Sequence, residues 1–226
     1  MSNFRIVRAF ATIESMDSTS LQYLHQPAPR MIRGGNPLLL LLHGYGSTEA
    51  DLFGLASFLD DRLAIASARA PYAHPGGGRA WYSLEITERG MRQNLVEAGH
   101  SRLAIANFIG QLRRAHAPSK LFLGGFSQGA MMSCSVALAE PSLVDGVVLM
   151  SGALWPAGNS QPSAALPPFI VTHGTLDDTL PVARGRALRD HLLGLGAQVA
   201  YHEYAMSHEI SEACLEDVNA WLAARM

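Results

Sequence analysis

Short apolar runs recur along the chain at positions 38–42, 63–67, 120–124, 147–150 and 168–172, each bounded by loop-forming residues. Runs of four or five residues are strand-length, too short for a helix that must bury one face. The first is five consecutive leucines, Leu38 to Leu42, which predicts a central strand buried on both sides. Positions 19–25 and 198–204 alternate apolar and polar instead, as half-buried strands do, and Pro27 and Pro29 close the first of them. Helices are predicted between the strands, over about 49–59, 92–116, 130–139, 181–193 and 209–224. The longest has Leu95, Leu103, Ile109 and Leu112 among its apolar positions and Pro118 beyond its end. Pro141 stops the third helix, and Pro181 suits the first turn of the fourth. Strands alternating with helices define an α/β fold with a mainly parallel central sheet and helices on both faces.

Positions 1–18 are mixed and read as either a loose arm or an edge strand. Two irregular stretches, 71–82 and 153–168, leave strand ends, and neither is long enough to form a separate lid domain. With no internal boundary or repeat, residues 1–226 read as a single domain. The chain is 48% hydrophobic and 16% charged, enough apolar material for one sizeable core.

A formal net charge of −2, with both signs scattered, offers no electrostatic case for nucleic acid. Arg113 and Arg114 close the long helix, where cations favour the dipole, and read as a solvated helix end. The two cysteines, Cys134 and Cys214, lie within predicted helices and argue for a reducing compartment and buried apolar roles. The first ten residues lack the apolar core of a signal peptide. The longest apolar run, 37–42, is far short of the roughly 20 residues that span a bilayer. The expectation is a cytoplasmic protein without stable membrane insertion.

The chemistry begins at Gly125-Phe126-Ser127-Gln128-Gly129, between a predicted strand and a predicted helix. G-x-S-x-G in that context is the nucleophile-elbow pattern, a sharp strained turn that lifts a serine hydroxyl clear of a sheet. Glycines two residues to either side let the turn close, and the helix N-terminus supplies N–H groups where negative charge develops. A carboxylate and a histidine must follow in that order. The strand at 168–172 empties into His173-Gly174-Thr175-Leu176-Asp177-Asp178, and the strand at 198–204 leads through a short loop to His208. Both sit where an open α/β sheet places its chemistry, on loops leaving strand ends.

These residues together resemble the phospholipase/carboxylesterase family of α/β-hydrolases, which includes small bacterial carboxylesterases and acyl-protein thioesterases. The matching pieces are Leu42-His43-Gly44-Tyr45-Gly46, Gly124 to Ala130, His173-Gly174-x-x-Asp177-x-x-Leu180-Pro181 and His208-Glu209-Ile210. The resemblance implies Ser127 as nucleophile, His208 as base and Asp177 as acid, with Asp178 beside it as the open alternative. It further implies an oxyanion hole made by the backbone N–H groups of Tyr45 and Gln128. The family commonly places glycine before its histidine, where this chain has Ser207. Homodimerisation occurs within the family, and no interface patch is legible in the sequence.

Trp81 and Trp155, one in each irregular stretch, are candidate walls of a substrate pocket, with ordinary packing as the competing reading. The expected activity is hydrolysis of short to medium acyl esters through an acyl-enzyme, a reaction that requires no cofactor. An acyl thioesterase or lysophospholipase acting on longer chains is the alternative, and a non-catalytic binding protein of the same fold is a distant one. His202-Glu203 begins like a zinc-protease helix, but the next histidine follows at 208, six residues on rather than four, so no metal site is expected. Gly44-Tyr45-Gly46 lacks the third glycine of a dinucleotide fingerprint, position 49 being Glu. His43 and His173, each followed by glycine, are expected to brace their loops by hydrogen bonding.

Overall fold

Leu38–Leu42 is the strand around which the protein is layered. Its side chains alternate between two separate cores: Leu38, Leu40 and Leu42 enter one, Leu39 and Leu41 the other. That division follows from the two-residue period of a strand. The computed structural model describes residues 12–14, 20–87, 90–154 and 164–226. In chain order the strands are β1 (Thr12–Glu14), β2 (Tyr23–Gln26), β3 (Leu38–Leu42), β4 (Ala64–Ala68), β5 (Tyr72–Ala73) and β6 (Arg79–Ala80). They continue with β7 (Leu84–Thr87), β8 (Gly90–Gln93), β9 (Leu121–Phe126), β10 (Gly146–Met150), β11 (Phe169–Gly174) and β12 (Val199–Tyr204). The helices are α1 (Glu49–Phe53), α2 (Leu95–His116), α3 (Gln128–Ala139), α4 (Val182–Gly194) and α5 (Glu212–Ala223).

Eight strands form one sheet in the order β1-β2-β4-β3-β9-β10-β11-β12. The six from β4 to β12 run parallel, and β1 and β2 complete one edge antiparallel. Helices α2, α3 and α4 cover one face through residues such as Phe108, Met132 and Leu188. Helices α1 and α5 cover the other through Leu52, Val218 and Trp221. The mainly parallel sheet with helices on both faces is thus as predicted, and positions 12–14 take the edge-strand option. Among the described residues no helix is long and apolar enough to cross a membrane. Both cysteines are free and buried, and burial pushes the Cys134 thiol up to about 12.

Several boundaries differ from the periodicity. Helix α2 begins at Leu95, because positions 90–93 pair with β7 as a hairpin. Its N-cap is Asn94, whose Oδ1 accepts from the Glu97 N–H at 3.2 Å. The helix predicted from 49 becomes 3₁₀ at Gly54, and α5 starts at Glu212 behind its Ser211 cap. Arg113 is not simply solvated: it donates to the Leu143 carbonyl at 2.9 Å and to Asp145 Oδ2 at 3.1 Å, tying the end of α2 to the entry of β10.

The junction between β9 and α3 lies directly over β3. A methyl group at Gly129 would overlap the Leu42 carbonyl oxygen and come within 2.7 Å of the His43 oxygen, both rigid backbone. At Gly124 the nearest atoms are the side chains of Val148, Leu39 and Leu41 at 3.3–3.4 Å, which can give. Gly129→Ala is therefore expected to destabilise the protein by about 3 kcal/mol or more, and Gly124→Ala by about 1 kcal/mol. Urea unfolding of both variants checks the ranking, and equal effects would contradict this account of the junction.

Candidate active site

Ser127 stands between β9 and α3 with φ 53° and ψ −116°, a region that non-glycine residues rarely occupy. The conformation is held from both sides. The Ser127 N–H donates to the Met150 carbonyl at 2.9 Å, and its own carbonyl accepts from the Met131 N–H at 3.1 Å. Side chains at 125 and 129 would collide with backbone, so the two outer glycines of the motif are steric necessities. Such strain costs of order 1–3 kcal/mol and persists only where its surroundings over-determine it.

The parallel sheet brings the other two parts to the same edge. His208, on the loop after β12, lies with Nε2 2.9 Å from Ser127 Oγ and Nδ1 2.7 Å from Asp177 Oδ2. Asp177 Oδ1 accepts two backbone bonds, from Leu180 at 2.7 Å and Thr179 at 3.0 Å. With both carboxylate oxygens accepting, the His208 proton belongs on Nδ1, leaving Nε2 to accept from the serine hydroxyl. Asp178 is exposed and outside this chain of bonds, so of the two neighbouring aspartates the geometry selects Asp177. Phe126 packs against the His208 ring with centroids 4.8 Å apart. An arrangement of this kind can activate a hydroxyl and return its proton to a leaving group.

Ser207 adopts a negative φ, unlike Ser127, so the loop makes no demand here that only glycine could meet. The loop is instead fixed by close passage. A side chain at Gly174 would meet the carbonyl oxygens of Met206 and Ser207, and the Leu176 N–H donates to the Met206 carbonyl at 3.1 Å.

Gly44 borders the serine from the β3 side, a methyl there falling 3.6 Å from Ser127 Cβ, and Tyr45 follows it in the chain. Among the hydrogen bonds of the described residues, none is donated by the backbone N–H of Tyr45 or Gln128. His43 braces this loop from below. Its Nε2 accepts from the Ala70 N–H at 3.2 Å, so Nδ1 carries the proton and donates to the Gly44 carbonyl at 2.8 Å. Burial lowers the His43 pKa, disfavouring an imidazolium that would lose the Ala70 bond. His173 is equally buried, donates from Nε2 to the Leu180 carbonyl at 2.7 Å and packs under Gly185 of α4. Both histidines therefore make the loop-bracing bonds expected of them.

The tryptophans turn out differently. Trp81 has no exposed surface, and its indole N–H donates to the His43 carbonyl at 2.9 Å, so it offers no face to a ligand and belongs to the packing. Trp155 lies outside the described residues. Two partners of Trp81 escaped the sequence reading: Ser101, which donates to its carbonyl, and the side chain of Gln128, which accepts from its N–H at 2.8 Å. The one available signal was a polar Ser101 on the apolar face of α2. His202 lies 3.5 Å from Asp217 on the outer side of β12, well apart in role from His208.

A strained serine between a parallel strand and a helix, with histidine and aspartate delivered from later strands of the sheet, defines an α/β-hydrolase. Residues 32–226 match the family model described as Phospholipase/Carboxylesterase, and the chain belongs to that family. Mouse lysophospholipase-like protein 1 is similar at 29% identity over 48% of each chain. Acyl-protein thioesterase 1 of Gibberella zeae is similar at 33% identity over 48% of this chain and 49% of its own, so the match spans about half the length of both relatives. The crystal structure of esterase PE8 superposes with a TM-score of 0.82 at 26% identity, covering 92% of this chain and 100% of that one.

Two outcomes are expected. Because the folded value of His43 is lowered, the unfolded chain takes up a proton that the native state refuses. Its contribution to stability is intact above about pH 6.5 and is lost as pH falls, by up to about 1.4 kcal/mol per pH unit. Urea titrations from pH 7.5 to 5.5, with NMR following the His43 ring, check both sign and assignment. Ser207→Gly is expected to leave esterase turnover within twofold and to lower stability by about 0.5–1 kcal/mol through unfolded-state entropy. A marked gain in activity would show that serine strains the loop.

Proposed function

We propose that this chain is a serine carboxylesterase that hydrolyses short to medium acyl esters through an acyl-enzyme on Ser127. In this reading His208 takes the hydroxyl proton during attack and returns it to the leaving alcohol. Asp177 holds the imidazole tautomer and stabilises the imidazolium without itself being protonated. The N–H groups of Tyr45 and Gln128 receive the oxyanion of the tetrahedral intermediate, each worth about 3 kcal/mol of barrier. The observation that carries the proposal is the continuous hydrogen-bonded chain Ser127–His208–Asp177, at 2.9 and 2.7 Å.

A preference for short acyl groups is supported by the segment beside the oxyanion loop. It is a hairpin of β5 and β6 tied by main-chain bonds to Gly46 and Ser47, not a hinged cover. The second reading, a thioesterase or lysophospholipase acting on longer acyl chains, is favoured by the names of the two relatives, an acyl-protein thioesterase and a lysophospholipase-like protein.

Fluorophosphonate labelling with intact-mass detection is expected to give one adduct on the wild type and none on Ser127→Ala. Turnover of p-nitrophenyl butyrate should fall at least about a thousandfold in Ser127→Ala, and by a similar order in Asp177→Asn. Across a series of esters and thioesters from acetyl to palmitoyl, kcat/KM is expected to peak at butyrate to hexanoate esters. A maximum at palmitoyl substrates, or on thioesters, transfers the assignment to the second reading. A folded wild type with neither adduct nor turnover would sink both.

A further inference from the structure

The two N–H groups assigned to the oxyanion sit on separate loops, one after β3 and one opening α3. Neither sequence separation nor the sheet alone fixes the gap between them. The structure contains a second connection. Gln128 is buried, and its side chain makes two bonds away from the serine: Oε1 accepts from the Trp81 N–H at 2.8 Å, and Nε2 donates to the Tyr82 carbonyl at 2.8 Å. Trp81 continues the link on its other side, its indole N–H donating to the His43 carbonyl at 2.9 Å and its ring packing on the His43 imidazole at 5.6 Å. His43 precedes Gly44 and Tyr45 directly.

The same segment grips the oxyanion loop beyond Tyr45 as well. The Gly46 N–H donates to the Arg79 carbonyl at 2.9 Å, and the Arg79 N–H donates to the Ser47 carbonyl at 2.7 Å. The Arg79 guanidinium in turn donates to the carbonyls of Ala70 at 2.9 Å and Pro71 at 2.7 Å, closing the base of the hairpin. Tyr45 is thus held before and after by residues 79–81, and those residues are held to the elbow by the Gln128 amide.

We infer that the Gln128 side chain and Trp81 are positioning residues that set the spacing of the oxyanion donors, Gln128 carrying one donor on its backbone while its amide pins the segment that holds the other. The inference rests on the serine-hydrolase reading above. Gln128 suits the task because a primary amide both donates and accepts, meeting an N–H and a carbonyl one residue apart on the same strand end. A glutamate there would face the Tyr82 carbonyl with an acceptor, and an apolar residue would leave the Trp81 N–H and the Tyr82 carbonyl without this partner. The link acts on the transition state because oxyanion donors must meet the developing charge to within a few tenths of an ångström, while the ground-state ester makes weaker demands.

The test compares Gln128→Met and Trp81→Phe with the wild type and Ser127→Ala, using p-nitrophenyl butyrate and an aryl trifluoromethyl ketone, which forms a tetrahedral adduct on an activated serine. Turnover by the wild type and its loss in Ser127→Ala establish the parent reading independently. Gln128→Met is expected to lower kcat tenfold or more with KM within threefold. Its affinity for the ketone should weaken by the same factor as kcat/KM. Trp81→Phe keeps a smaller aromatic ring but loses the indole N–H and the fused five-membered ring that pack against His43, so it should shift both quantities in the same direction. The double variant should lose less than the product of the single losses, because the two side chains are links of one chain. If Gln128→Met does not fold, Trp81→Phe carries the test with the same readouts. The inference is overturned if the folded variants keep kcat/KM within twofold of wild type, or if kcat falls while ketone affinity stays unchanged. Retained turnover in Ser127→Ala would instead overturn the parent reading.

Discussion

The position of Ser127 at positive φ is the constraint from which most of the surrounding design follows. A serine in that conformation cannot be accommodated in a strand or a helix, only in the single residue between them. Strand and helix must then approach so closely that Gly125 and Gly129 have no room for side chains. Gly129 in turn lies against the last carbonyl of β3, which fixes β3 as the direct neighbour of β9 and delivers the His43-Gly44-Tyr45 loop to the serine. The strain is held by backbone hydrogen bonds on both sides and by burial of nine of the twelve residues of α3, so relaxing the turn would unpack a core element.

Because β4, β3, β9, β10, β11 and β12 run parallel, every loop that leaves the C-terminal end of one of them reaches the same edge of the sheet. This is why so much of the site was legible in the sequence. The leucine run, the strand before the elbow and the strands at 169–174 and 199–204 are all marked by local composition. Once those strands share a direction, the residues that follow them must converge. Ser127, Asp177 and His208 follow β9, β11 and β12, and the hydrogen bonds join them with His208 between the other two. The choice between Asp177 and Asp178 was open to spacing alone; what separates them is burial and the two backbone bonds to Oδ1, and both depend on how the loop folds.

What the sequence did not disclose is of a different kind. The β7–β8 hairpin replaces the expected start of α2 because strand pairing satisfies positions 90–93 from a neighbour that helical periodicity does not see. Trp81 reads locally as an aromatic in a glycine-rich loop, a fair candidate for a pocket wall. Its actual partners are His43 and Gln128, 38 and 47 positions away, and no local pattern reports them. The Gln128 side chain is a sharper case. The motif names the position for its backbone, and the glutamine at that variable place carries no signal that its amide is occupied elsewhere.

The two halves of the proposed machinery are therefore held by different physics. The acid–base half is placed by strand register, by the close passage of the His208 loop over Gly174 and by backbone N–H groups on Asp177. These are main-chain features, and Gly174 is the position among them where an added side chain would push the His208 loop away. The oxyanion half spans two loops whose relation is set by side-chain amide, indole and imidazole bonds in a dry interior. There each bond is strong because water is excluded, and each loss leaves a polar group stranded. In the inference above, a change at Gln128 or Trp81 thus alters the spacing of the donors without touching the serine, the histidine or the aspartate.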